Sequence, residues 1–276
     1  MIEQDAVKSS NASPESNNVL MAPRARRGER HYARAIRQML STTLTYALPS
    51  HIADEVTLEL GFSLRRALYS RKTRLRLARL EDCRVNIGCG DRPTPGWVNI
   101  ELKSTAETLF WDCRRGLPFS DDRVTAIYSE HVFEHFHLET DAKLFLADCL
   151  RCLRPGGILR IVVPDAGAYL QAYTQSWERL AALTPLEETR DGWREKRTNY
   201  KGLTNVYSTK MQLINEVFRQ GSQHKYAYDE ETLLLILREA GFSNVIRQSL
   251  GVSVDQDMAP DSEARKAESL YVEAIK

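Results

Sequence analysis

The chain has 276 residues, 42% apolar and 27% charged, with 38 Lys and Arg against 37 Asp and Glu for a net charge of +1. That balance suits a globular protein with a full core and excludes a uniformly basic nucleic-acid binder or an acidic solvating chain. No apolar run approaches the roughly 18 to 20 residues of a membrane helix, and the N-terminus lacks the basic and apolar regions of a secretory signal. Five cysteines without framework spacing read as reduced thiols, so a cytoplasmic location is expected.

Charge is unevenly spread. Residues 1–23 carry a net −2 and are rich in Ser, Asn and Pro, which predicts a disordered tail. Residues 24–79 hold thirteen basic side chains against four acids, and the remainder is acidic. Within 24–80, a basic helical appendage, Tyr32, Ile36, Met39, Leu40, Leu44 and Ala47 recur at helical spacing until Pro49. A second helix is expected from Leu64 to about Leu80, its arginines either pairing with the acidic body or meeting an anionic surface.

From residue 81 to 276 strands and helices alternate. Strands are expected at Cys83–Ile87, Gly96–Leu102, Leu109–Asp112, Val124–Tyr128, Ile158–Val163, Asn244–Leu250 and Ser269–Ile275. Helices are expected at Thr140–Leu153, stopped by Pro155-Gly156-Gly157, and at Asp229–Glu239. An aromatic-rich, mostly helical insertion over about 165–223 reads as a lid. The alternation predicts a doubly wound α/β sheet with its ligand at the carboxyl ends of the strands.

The first strand ends in Gly88-Cys89-Gly90, where glycines let backbone N–H groups approach a ligand. Glu101, ending the next strand, can take both hydroxyls of a ribose, and Asp112 offers a second carboxylate to an adenine amino group. These pieces, with LADCLRCLRPGGILRIVVPD, WDCRRGLPFSDDRVTAIYSEHVFEHF and HKYAYDEETLLLILREAGF, resemble the class I S-adenosylmethionine-dependent methyltransferases, type 11-like branch. The resemblance implies a Rossmann-like seven-stranded sheet with its last strand antiparallel, and S-adenosyl-L-methionine as cofactor. It places Gly88, Cys89 and Gly90 along the methionine and ribose, Glu101 on the ribose, and Asp112 with Cys113 on the adenine edge. Ser129 and Glu130 then flank the methionyl group. Asn86 stands where the family commonly has an acid, and Arg92 replaces the usual third glycine.

His131, Glu134 and His135 spell H-x-x-E-H, a zinc-hydrolase pattern that needs one helix and a further ligand. No cysteine pair or carboxylate is spaced to complete it, so the sequence reading assigns no metal. Cys149 and Cys152, one helical turn apart, read as core packing. An oxygen acceptor needs a base, for which His131 and His224 are the candidates. Asp165 and Tyr169 could bind the acceptor, although Asp165 could equally cap a helix. The expectation is O-methylation of a sugar, glycan intermediate or small metabolite. The alternatives are a non-catalytic scaffold docking a polyanion through 24–79, and a zinc hydrolase.

Overall fold

The computed structural model describes residues 42, 44, 46–102, 105–184, 207–255, 258 and 260–276. The expected N-terminal tail, most of the first expected helix, and Trp193 and Tyr200 of the insertion lie outside the described residues.

Helix α1 spans Ser50–Leu77, starting well before the expected Leu64. Pro49 ends the preceding helical stretch after Ala47, as expected, and sits immediately ahead of α1 with extended ψ. Leu58, Leu60, Leu64 and Leu68 are exposed, although Leu60, Leu64 and Leu68 recur every fourth residue along one face of the helix. Leu77 is fully buried, and Tyr69 meets Phe110 at 6.2 Å between ring centroids, which holds α1 against the sheet edge.

The other elements are β1 (Cys83–Ile87), β2 (Val98–Glu101), β3 (Leu109–Phe110), β4 (Val124–Glu130), α2 (Lys143–Cys152) and β5 (Leu153–Pro164). There follow α3 (Ala166–Gln175), α4 (Trp177–Leu183), α5 (Lys210–Arg219), α6 (Glu230–Glu239), β6 (Ser243–Gln248) and β7 (Ser269–Ile275). The seven strands form one sheet in the order β3-β2-β1-β4-β5-β7-β6. Strands β1 to β5 pair in parallel, while β7 runs antiparallel to both β5 and β6. This is the expected seven-stranded Rossmann-like sheet with its last strand antiparallel.

One face of the sheet buries the main core, which includes Val85, Ile127, Phe145, Leu159 and Leu233. Cys149 and Cys152 pack there, both fully buried. The opposite face holds a smaller cluster of Ala126, Tyr128, Ile158, Val162, Met258 and Tyr271. Here the loop after β6 lies across the sheet. Arg160, buried on β5, donates to Asp261 and Glu273 and to the carbonyls of Ser249 and Val252. Helices α3, α4 and α5 share a separate core of Tyr169, Ala172, Leu180, Leu213 and Ile214.

Two local devices hold the loops at the two ends of the sheet. No helix intervenes between β1 and β2; the loop is held by side-chain amides instead. Asn86 donates to Thr94 Oγ1 at 2.9 Å, and Asn99 bonds Thr94 in both directions at 2.8 and 2.9 Å. Before β4, Leu117 N–H donates to Asp148 at 2.6 Å, and Arg151 donates to the Leu117 and Phe119 carbonyls.

Candidate active site

At the end of β1 the chain turns through Gly88, whose φ is +69° and whose N–H donates to the Ile100 carbonyl. A Cβ there would fall 2.1 Å from Val132 Cγ2, so only glycine fits. Gly90, at φ +57°, faces open space, and its N–H donates to Glu101 Oε2 at 3.0 Å. Cys89 is buried, with its thiol pushed up to about 12 by burial and then by the Glu101 charge. Ser129 ends its course along β4 fully buried, its hydroxyl lacking a hydrogen-bond partner among the described residues. Glu130 accepts from Ser262 N–H at 3.1 Å, and burial raises its carboxyl above the ordinary value.

Asp112 departs from its expected surroundings. Its carboxylate is 3% exposed and accepts from Arg114 Nε at 2.9 Å, Arg114 Nη2 at 2.7 Å and Arg66 Nη1 at 2.6 Å. Both guanidiniums also reach Glu59 of α1. Burial alone would raise the Asp112 carboxyl; bonds and charge from Arg114 and Arg66 outweigh it and hold it below 3.8. An adenine amino group reaching Asp112 therefore competes with two guanidiniums. Cys113 is buried beside it, its thiol pushed up by burial.

A second group of side chains lies beyond β4. His131 takes the left-handed conformation (φ +52°), uncommon for a residue with a side chain and frequent at functional sites. Its Nε2 shares a hydrogen bond with Ser269 Oγ at 2.9 Å, and its Nδ1 lies 3.5 Å from Glu134 Oε1. The chain then makes a short 3-10 turn, Phe133–His135, rather than a helix carrying the whole H-x-x-E-H pattern. The Glu134 carbonyl accepts from Lys225 and Tyr226 N–H, and Phe133 stacks on Tyr228 at 5.0 Å. These contacts bring His224 against His135, edge to face at 4.8 Å.

Glu134 is 2% exposed, and neither carboxylate oxygen has a hydrogen-bond partner among the described residues. Burial pushes its carboxyl up to about 8. His224 Nδ1 faces the Val217 carbonyl at 2.7 Å and His135 Nδ1 faces the Gln223 carbonyl at 3.1 Å. His131, Glu134, His135 and His224 all line one pocket, together with Glu216 and Glu268.

Residues 101–161 match the methyltransferase domain family. That segment runs from the carboxylate of β2, through the strand and turn carrying His131 and Glu134, into β5. The match covers 61 of the 276 residues. No curated protein matches the sequence. Similar solved structures include a Thermotoga maritima methyltransferase described as a possible histamine N-methyltransferase, at 15% identity, TM-score 0.41, covering 74% of this chain and 86% of that one. Another is a SAM-dependent methyltransferase from Archaeoglobus fulgidus, at 15% identity, TM-score 0.40, covering 79% and 94%. A third is phosphoethanolamine N-methyltransferase 2 of Haemonchus contortus with S-adenosyl-L-methionine, at 10% identity, TM-score 0.37, covering 74% and 52%.

The residues expected to hold the methionine and ribose of S-adenosylmethionine lie at the ends of β1, β2 and β4. Gly90 borders open space with Glu101 on its N–H, whereas Ser129 is fully buried with its hydroxyl lacking a hydrogen-bond partner among the described residues. Two expected acceptor residues are spent elsewhere. Tyr169 is fully buried and donates to the Leu183 carbonyl at 3.1 Å, while Asp165 caps α3 by accepting from Ala168 N–H at 2.9 Å. Glu134 and His135 face the pocket too; in the sequence they stood out only through the H-x-x-E-H spacing of the zinc-hydrolase alternative.

Proposed function

We propose that the enzyme transfers the methyl group of S-adenosylmethionine to an oxygen of a small acceptor, a sugar, glycan intermediate or metabolite. The acceptor sits in the histidine-lined pocket, with the 165–223 insertion as its lid. The observation that supports this is the placement of that pocket next to the cofactor loop, since Val132, which packs on Gly88, directly follows His131.

The cofactor supplies an electrophilic methyl on a positively charged sulfur, so the protein's task is alignment and removal of the acceptor proton. His131 is the base in this reading. Glu134 lies beside Nδ1, and Nε2, on the Ser269 hydroxyl, receives the proton directly or through that hydroxyl. His224 faces the acceptor from the opposite wall.

The test starts with calorimetric titration of S-adenosylmethionine and S-adenosylhomocysteine into the wild type and Glu101→Ala. Acceptors are then screened by release of S-adenosylhomocysteine. Binding lost in Glu101→Ala, with turnover lowered about 100-fold or more in His131→Ala at unchanged cofactor affinity, is the expected result. Equal loss of cofactor binding in His131→Ala and His224→Ala defeats the assignment.

A further inference from the structure

We infer that Glu134, His135 and His224 form a binding site for a divalent transition-metal ion of the zinc type, open on one side to the acceptor pocket. Among the described residues, one ligand atom from each of these three side chains lies within 4.8 Å of the other two. His224 Nε2 stands 4.0 Å from Glu134 Oε1. A tetrahedral zinc with bonds of about 2.1 Å separates its ligand atoms by about 3.4 Å. Small side-chain rotations therefore close the group around an ion.

Three independent features point the same way. First, both histidines turn Nδ1 to a backbone carbonyl, Gln223 for His135 and Val217 for His224. A neutral ring donating from Nδ1 carries its lone pair on Nε2, the tautomer and orientation typical of metal-bound histidine. Second, the Glu134 carboxyl is buried with both oxygens lacking a hydrogen bond among the described residues. A buried carboxylate in that state costs stability unless something compensates it, and a cation does so. Third, Glu216 and Glu268 add negative charge around the pocket, while Arg265, the cation there, lies 3.7 Å from Glu268.

The ligand set differs from what H-x-x-E-H suggests. His131 stands outside the group, bound to Ser269, and the third ligand comes from 89 residues beyond His135. Two histidines, one carboxylate and an open position make the donor set of a catalytic rather than a closed structural zinc. The ion would polarise an acceptor oxygen and ease its deprotonation. That role rests on the proposed acceptor reading; the site itself stands on its geometry.

The experiment uses the full chain, freed of metal with a chelator, and titrates it with Zn2+ alone, followed by Co2+ as a spectroscopic probe. The expected result is one Zn2+ per chain and the intense visible bands of four-coordinate Co2+. His135→Ala and His224→Ala should each weaken binding by more than about 10-fold, while His137→Ala, outside the group, leaves it unchanged. Retained S-adenosylmethionine binding in each variant shows that it is folded. Absence of stoichiometric Zn2+ in the wild type, or binding unchanged in both single variants, overturns the site. Failure of the methyltransferase reading would show instead as absent S-adenosylmethionine binding, a separate titration.

Discussion

Asp112 shows how the partners of one residue can come from both near and far in a sequence. Pairing of the basic helix with the acidic body was one of the two sequence expectations; the particular contact was not legible, because Arg66 lies 46 residues from Asp112. Held below its ordinary 3.8, the Asp112 carboxyl contributes stability that is present above that value and lost as pH falls through and below it. Asp112→Asn should therefore flatten the acid limb of a stability-versus-pH curve. In a double-mutant cycle, Arg66→Ala and Asp112→Asn should couple by about 0.5 to 3 kcal/mol, measured by urea unfolding. Additive effects would mean that the contact contributes nothing.

At the level of elements, periodicity served well wherever a strand was apolar throughout. Strand β7 matches its expected span, and α6 starts one residue later because Asp229 is its cap. The run Ile158–Val163 reads as buried on both faces, yet its centre is Arg160, 0% exposed. No periodic pattern forecasts this, since the carboxylates that make it tolerable, Asp261 and Glu273, come from a loop and another strand. Removing one partner of a buried ionic group strands the other, so Arg160→Ala should cost about 3 to 5 kcal/mol. Hydrogen exchange should localise the loss to loop 249–262 and β7 before global unfolding, and uniform deprotection would contradict that picture.

Across the whole molecule, the fold was legible because strand-helix alternation and glycine placement are local signals. The pocket was only half legible. His131, Glu134 and His135 are neighbours in sequence, but His224 joins them through bonds from Lys225 and Tyr226 to the Glu134 carbonyl, which no spacing rule contains. The thiols follow the core more simply. All five cysteines are unpaired by disulfide, and burial raises every one, Cys83 to about 11 and Cys152 to about 12. Thiolate is the reactive form. The native protein at pH 8 should therefore resist a thiol-specific reagent, with five equivalents labelled only after denaturation. Rapid labelling of Cys89 in the native state would show that the cofactor loop opens on its own.

That loop is held in shape by Asn86, Thr94 and Asn99, groups that carry no charge. Ionic strength screens the exposed Glu59 contacts to Arg66 and Arg114 but leaves the buried Asp112 contacts and these amide hydrogen bonds far less touched. High salt should thus weaken the grip of α1 through Glu59 while the turn after β1 keeps its form, one edge of the sheet yielding and its neighbour holding.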